Sequence, residues 1–240
     1  MMLVVLAGCG RQVTGLDNPN AGTSVASGRT LIRFETAAPV DFSRFTYIIA
    51  INTTGSGQQP FALGYTSASY TNWSYAIIVG ATAPGSISFP VVTQITQQPS
   101  ASGGPVLRNI PYPTNFVTAP NLNISSVIAP GGFEITLNRC ILDNPPASST
   151  AATPAPISPN NVCPPFNYSQ AVWNINLFTV DASNTVVDSL GNNGPQDPSV
   201  FFQINVSTQL DAVQRKTPLV TPPQTQQPAQ IYGLEVISTP

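Results

Sequence analysis

The chain has 240 residues, 42% of them hydrophobic, which suffices for one large β domain or two small ones with a real core. Only 8% are charged and the net charge is −2, so no basic patch exists to collect phosphates, and no nucleic acid suits this surface as a partner. The chain lacks His, which excludes Ser-His-Asp and Cys-His catalysis, imidazole acid–base chemistry and His-ligated metals.

The amino terminus reads Met-Met-Leu-Val-Val-Leu-Ala-Gly-Cys-Gly. Leu6-Ala7-Gly8-Cys9 resembles the lipobox of bacterial lipoproteins. In that family the signal peptide is cut before the Cys, whose thiol then carries lipid. Ala7 and Gly8 are the small residues the cut requires. The resemblance implies an export route and a lipid anchor at Cys9, and says nothing of the fold. The lead-in has no Lys or Arg, whereas a secretory signal has a basic n-region before its apolar stretch. Residues 1–8 are therefore expected to be a truncated signal peptide, with the true start codon upstream. Gly10 stands where the family uses Asp for inner-membrane retention, so the resemblance implies the outer membrane, where the host has one. Membrane attachment rests on Cys9 alone, since no stretch approaches the roughly 18 apolar residues of a spanning helix.

Residues 10–28 are small and polar without a period, and read with Cys9 as a lipidated flexible tether, 9–28. A single domain, 29–240, is expected to follow. Leu31, Arg33 and Glu35 alternate with Ile32, Phe34 and Thr36, as in a strand. In 45–52, Phe45, Tyr47, Ile49 and Ile51 share one face by period two. Further strands are predicted at 74–80, 86–96, 121–128, 132–142, 171–180, 184–189, 199–207 and 231–237. In 199–207, Val200, Phe202, Ile204 and Val206 share a face. Gly55-Ser56-Gly57, Pro84-Gly85, Gly103-Gly104-Pro105, Pro130-Gly131-Gly132 and Gly191-Asn192-Asn193-Gly194 supply turn chemistry between them.

Helices are disfavoured throughout, with 25 Pro spread along the chain. About ten short strands without a helix predict an all-β fold, an antiparallel β-sandwich of Greek-key or Ig-like kind. Two segments are of low complexity: the Pro-rich loop 143–165 and the Pro/Gln linker 217–230, both expected to be extended and exposed. The strand 231–237 beyond the linker must pair with something: pairing at an edge of its own sheet is expected, and addition to the sheet of a neighbouring molecule is the alternative.

There are three Cys. With Cys9 taken by lipid, Cys140 and Cys163 remain, and an oxidising compartment is expected to close them into a disulfide. A loop of this size predicts about 3 kcal/mol of stabilisation from chain entropy. Two unpaired thiols are the alternative. A zinc site is not expected, because two Cys without His cannot supply four ligands.

Nothing matches a GxSxG elbow, a Walker loop, a GxGxxG turn or an SxxK before the single Lys, Lys216. No cofactor is implied. Carboxylate-based hydrolysis needs two acids within about 5–10 Å. Glu35, Glu134 and Glu235 fall in predicted strands, and Asp41, Asp181 and Asp188 near strand ends. They are expected to be solvent-facing polar positions. Asp181, Asp188, Asn192, Asn193 and Asp197 could offer oxygens to calcium, but their spacing is not that of an EF-hand, and a plain turn accounts for them. Tyr65, Tyr70, Trp73 and Tyr75 crowd together in a Ser/Thr-rich setting and could form an aromatic platform for glycans; such residues also anchor β-cores. The sequence therefore predicts a non-catalytic, membrane-anchored envelope lipoprotein acting as a structural or interaction module. A glycan-binding sandwich and a carboxylate hydrolase are the alternatives.

Overall fold

The computed structural model describes residues 25, 27–53, 74–80, 91–99, 105–111, 125–129, 131–138, 142, 172–183, 185–191, 202–208, 210–216 and 224–239. In 91–99, 105–111, 125–129, 138 and 224–225 the description covers the backbone alone. In chain order the strands are β1 (Arg29–Thr36), β2 (Phe45–Asn52), β3 (Tyr75–Val79), β4 (Val91–Pro99), β5 (Pro105–Pro111) and β6 (Ser125–Ala129). They continue with β7 (Gly132–Asn138), β8 (Val172–Asp181), β9 (Val186–Ser189), β10 (Phe202–Asn205), β11 (Leu210–Arg215) and β12 (Ile231–Thr239). A short 3-10 helix, Gln224–Ala229, precedes β12.

The strands form two antiparallel sheets, as the all-β sandwich reading requires. The five-stranded sheet runs β11-β12-β1-β7-β6, and the seven-stranded sheet runs β10-β8-β2-β3-β4-β5. β9 pairs with β8 on the same edge as β10 but further along the strand, opposite Phe178–Val180, while β10 faces Val172–Ile175. The inward faces follow period two. Ile32 and Phe34 of β1, Phe133, Ile135 and Leu137 of β7, and Leu234 and Val236 of β12 belong to one buried cluster. Phe45, Tyr47, Ile49 and Ile51 of β2 join them, with Trp173, Ile175 and Leu177 of β8. Phe34 stacks on Phe133 at 5.1 Å between ring centroids, and Tyr47 meets Phe34 edge-on at 5.7 Å. Such contacts add about 0.5–1.5 kcal/mol each beyond simple burial.

The seven-stranded sheet is apolar on its other face too. Ile48, Ala50, Ala76, Phe178, Val180 and Val186 form a second buried cluster there. This explains why β2 and β8 read as near-continuous apolar runs as well as alternating ones.

Local turn chemistry behaves as expected at one well-defined hairpin. Ala129 pairs with Gly132 across the hairpin between β6 and β7, and Gly131 lies in its connection. Gly131 has φ of +84°, a conformation that side-chain-bearing residues avoid and Gly adopts at little cost.

Three features differ from the sequence expectations. β5 and β11 were not foreseen; β11, Leu-Asp-Ala-Val-Gln-Arg, has a single strong β-former and only half-buries its apolar positions. The C-terminal strand does not complete an edge. It lies inside the five-stranded sheet, paired with β1 on one side and β11 on the other. The Pro/Gln stretch is not extended throughout: residues 224–229 coil into the 3-10 helix and Ala229 is fully buried. Tyr47 explains this folding-back. Its hydroxyl donates to the Pro228 carbonyl at 3.0 Å and accepts from the Asp41 amide at 2.9 Å. Thr179 Oγ1 donates to the Ala229 carbonyl at 2.7 Å. Side-chain donors thus satisfy carbonyls that a Pro-containing segment cannot pair in a ladder. The loop 143–165 lies outside the described residues.

Candidate functional site

All three Glu of the chain point to the outer face of the five-stranded sheet, on β1, β7 and β12. The register makes this inevitable. Arg33 stands opposite Glu235 on one side and Glu134 on the other, and Glu235 stands opposite Val213 of β11. Arg33 Nε donates to Glu134 Oε1 at 2.7 Å, while its Nη1 meets Glu235 Oε2. One guanidinium therefore bridges carboxylates on two neighbouring strands. Two residues along β1, Glu35 accepts from Arg215 Nε at 3.2 Å and Nη2 at 3.0 Å, a forked pair.

Glu35 and Arg215 sit on strands that are not adjacent, and β12 lies between them. Gly233 occupies the intervening position, opposite both Glu35 and Arg215. A Cβ there would stand 2.8 Å from Glu35 Oε2 and 3.0 Å from the Gln214 carbonyl. The absence of a side chain is what lets the carboxylate cross the strand. Gly233→Ala should break the forked pair and lower stability by about 1–3 kcal/mol, the usual cost of overpacking. Urea unfolding checks this; an unchanged midpoint would contradict it.

These glutamates were expected to face solvent, and the structure corrects that. Glu35 is 3% exposed and Glu134 8%. Cross-strand pairing of long charged side chains on one face packs them against each other and takes them from water. The ladder brings the acids together, each carboxylate accepting from an arginine in an ion pair. Asp181 is occupied too, with Oδ1 accepting the amides of Ser183 at 2.8 Å and Thr185 at 2.9 Å and so shaping the β8–β9 turn. Asp41 Oδ1 accepts the Ser43 amide at 3.1 Å in the same way.

A second constellation joins the sheets. Lys216, just past β11, is buried, and its Nζ lies 2.5 Å from Asp188 Oδ1 on β9 and 2.8 Å from the Ser189 carbonyl. Asp188 Oδ2 accepts the Ile231 amide at 2.8 Å, where β12 begins. The pair clamps β9 of one sheet to β11 and β12 of the other. Burial pushes the Asp188 carboxyl above its ordinary value, against the opposing pull of the Lys216 charge. Burial likewise raises the Tyr47 phenol. In the sequence Lys216 matches no catalytic motif, and the signal it carries is that it is the single Lys in a chain so poor in charge.

Tyr75, placed in the aromatic platform, is fully buried on the inward face of β3 with Ile77 and Val79. Period two turns it into the core, so it cannot present a ring to a ligand. Tyr65, Tyr70 and Trp73 lie outside the described residues, as do Cys9, Cys140, Cys163, Asn192, Asn193 and Asp197. Of the proposed calcium oxygens, Asp181 and Asp188 are committed as described above. Among the described residues no group of three or more acids or cysteines is placed to hold a metal ion. No protein-family model matches this chain, nor does any curated protein or solved structure.

Proposed function

We propose that this chain is an exported, lipid-anchored β-sandwich that works as a non-catalytic structural or interaction module of the cell envelope. The carrying observation is Leu6-Ala7-Gly8-Cys9, followed by a small, polar segment that reaches the domain at Val25, which is buried, and at Gly28, whose amide donates to the Thr239 carbonyl at 2.8 Å. A tether of that composition from Cys9 to Val25 has a root-mean-square reach of about 20 Å, enough to hold a domain clear of a lipid surface. The chemistry of the domain agrees with a passive role. Its glutamates and its only lysine are consumed by internal ion pairs that hold strands and sheets in register.

The anchor is tested directly. With a basic n-region supplied upstream, the chain should partition into the detergent phase in a bacterial host, and Cys9→Ser should move it to the aqueous phase. Equal partitioning of the two would refute the lipid at Cys9.

A further inference from the structure

We infer that β11 is a self-association edge, through which two copies of this chain join their five-stranded sheets about a two-fold axis at Val213. β11 ends the five-stranded sheet, and among the described residues it pairs in a ladder only with β12. Its alternate residues Asp211, Val213 and Arg215 are exposed on the outer face. Val213, at 48%, is the one exposed large hydrophobic among the described residues.

The backbone has the right parity for this pairing. The Lys216 amide donates to the Tyr232 carbonyl at 2.8 Å, and the register continues without a shift through Arg215↔Gly233 to Leu210↔Ser238. In an antiparallel ladder such bonding pairs recur at every second residue. The even-numbered residues of β11 therefore spend their amides and carbonyls on β12. Those of Asp211, Val213 and Arg215 point away from β12, to the edge that is unpaired among the described residues.

A second copy laid antiparallel with Val213 opposite Val213 makes about six backbone hydrogen bonds, because each facing pair exchanges two. In this register Asp211 of each copy stands opposite Arg215 of the other. The strand is thus self-complementary: an apolar centre flanked by two opposite-charge pairs on one face. Glu35 already holds Arg215 through Nε and Nη2, which limits the freedom of this side chain before a second copy arrives. Edge charges usually block strand addition. Here their spacing about Val213 makes the same charges favour one partner, the identical strand. This pairing is isologous and closes at a dimer. It does not depend on the lipid anchor.

The test uses the full chain carrying Cys9→Ser, so that no lipid drives association. Sedimentation equilibrium should show a monomer–dimer equilibrium that shifts with concentration. Hydrogen exchange should show the amides of Asp211, Val213 and Arg215 becoming protected as dimer forms. Val213→Pro removes an amide that points away from β12 and none that β12 uses, so it should abolish the dimer while leaving the melting temperature of the dilute, monomeric chain unchanged. Asp211→Arg sets like charges against each other across the two-fold axis and should also abolish it. Should Val213→Pro fail to fold, Asp211→Arg decides the matter alone. A wild-type chain that stays monomeric at all concentrations overturns the inference. So does a dimer that Asp211→Arg leaves intact.

Discussion

Deleting residues 231–240 should leave a chain that no longer folds cooperatively, rather than one that melts a few degrees earlier. β12 is an interior strand, with β1 and β11 on its two sides. Ile231, Leu234 and Val236 have no exposed surface at all. Removing a large buried aliphatic side chain costs about 2–5 kcal/mol, and three of them approach the whole stability of a domain, typically about 5–15 kcal/mol. The deletion also takes away Glu235, which shares Arg33 with Glu134, and the Ile231 amide that donates to Asp188. It leaves two strand edges with unpaired amides and carbonyls. The expected result is loss of the near-ultraviolet circular dichroism of the buried aromatics and of any sharp thermal transition. A soluble deletion protein that melts cooperatively would show that β12 is dispensable and that the sheet order is wrong.

The second large effect belongs to the clamp between the sheets. Asp188→Ala should destabilise the protein by about 3–5 kcal/mol, because Lys216 would then be a buried cation without its counter-ion. The side chains of the pair are only 6% and 14% exposed, so water can do little to relieve it. Lys216→Met should cost less, since a carboxyl left alone can take up a proton while keeping its bond from the Ile231 amide. The pH dependence gives the sign. The folded state already holds the Asp188 carboxyl above its ordinary value by burial. A carboxyl raised in the folded state favours folding below its unfolded pKa, and that advantage is lost as pH rises through the folded value. Lys216 opposes this shift in the natural chain, so its removal enlarges it. The melting temperature of Lys216→Met should therefore fall more steeply than that of the wild type from acid to neutral pH. Parallel pH profiles for the two would mean that Lys216 carries no charge interaction with Asp188.

The sequence by itself determined the fold class, the position of most strands and the inward faces. Phe45, Tyr47, Ile49 and Ile51 alternate, and an alternating strand can bury its apolar side in only one way. Phe202, Ile204 and Val206 pack on the core side in the same manner, with Gln203 and Asn205 turned outward. Gly131 marked a turn in the sequence, and its positive φ is open to Gly at little cost. These are local properties, set by residues within a few positions of each other. Everything that depends on which strand lies beside which came only from the tertiary structure. The tail 231–237 reads as a strand by its own pattern, but its interior place follows from β1 and β11 lying on either side, at sequence distances no periodicity spans. β11 is not legible in the sequence because a half-exposed strand owes its existence to the ladder it joins rather than to its composition. Glu35, Glu134 and Glu235 look like ordinary solvent-facing acids until the register sets them beside Arg215 and Arg33. Lys216 and Asp188 are 28 residues apart and on different sheets, and only the packing of one sheet on the other makes them a pair. A charge on a strand is a local fact, whereas its partner and its burial are decided by the topology.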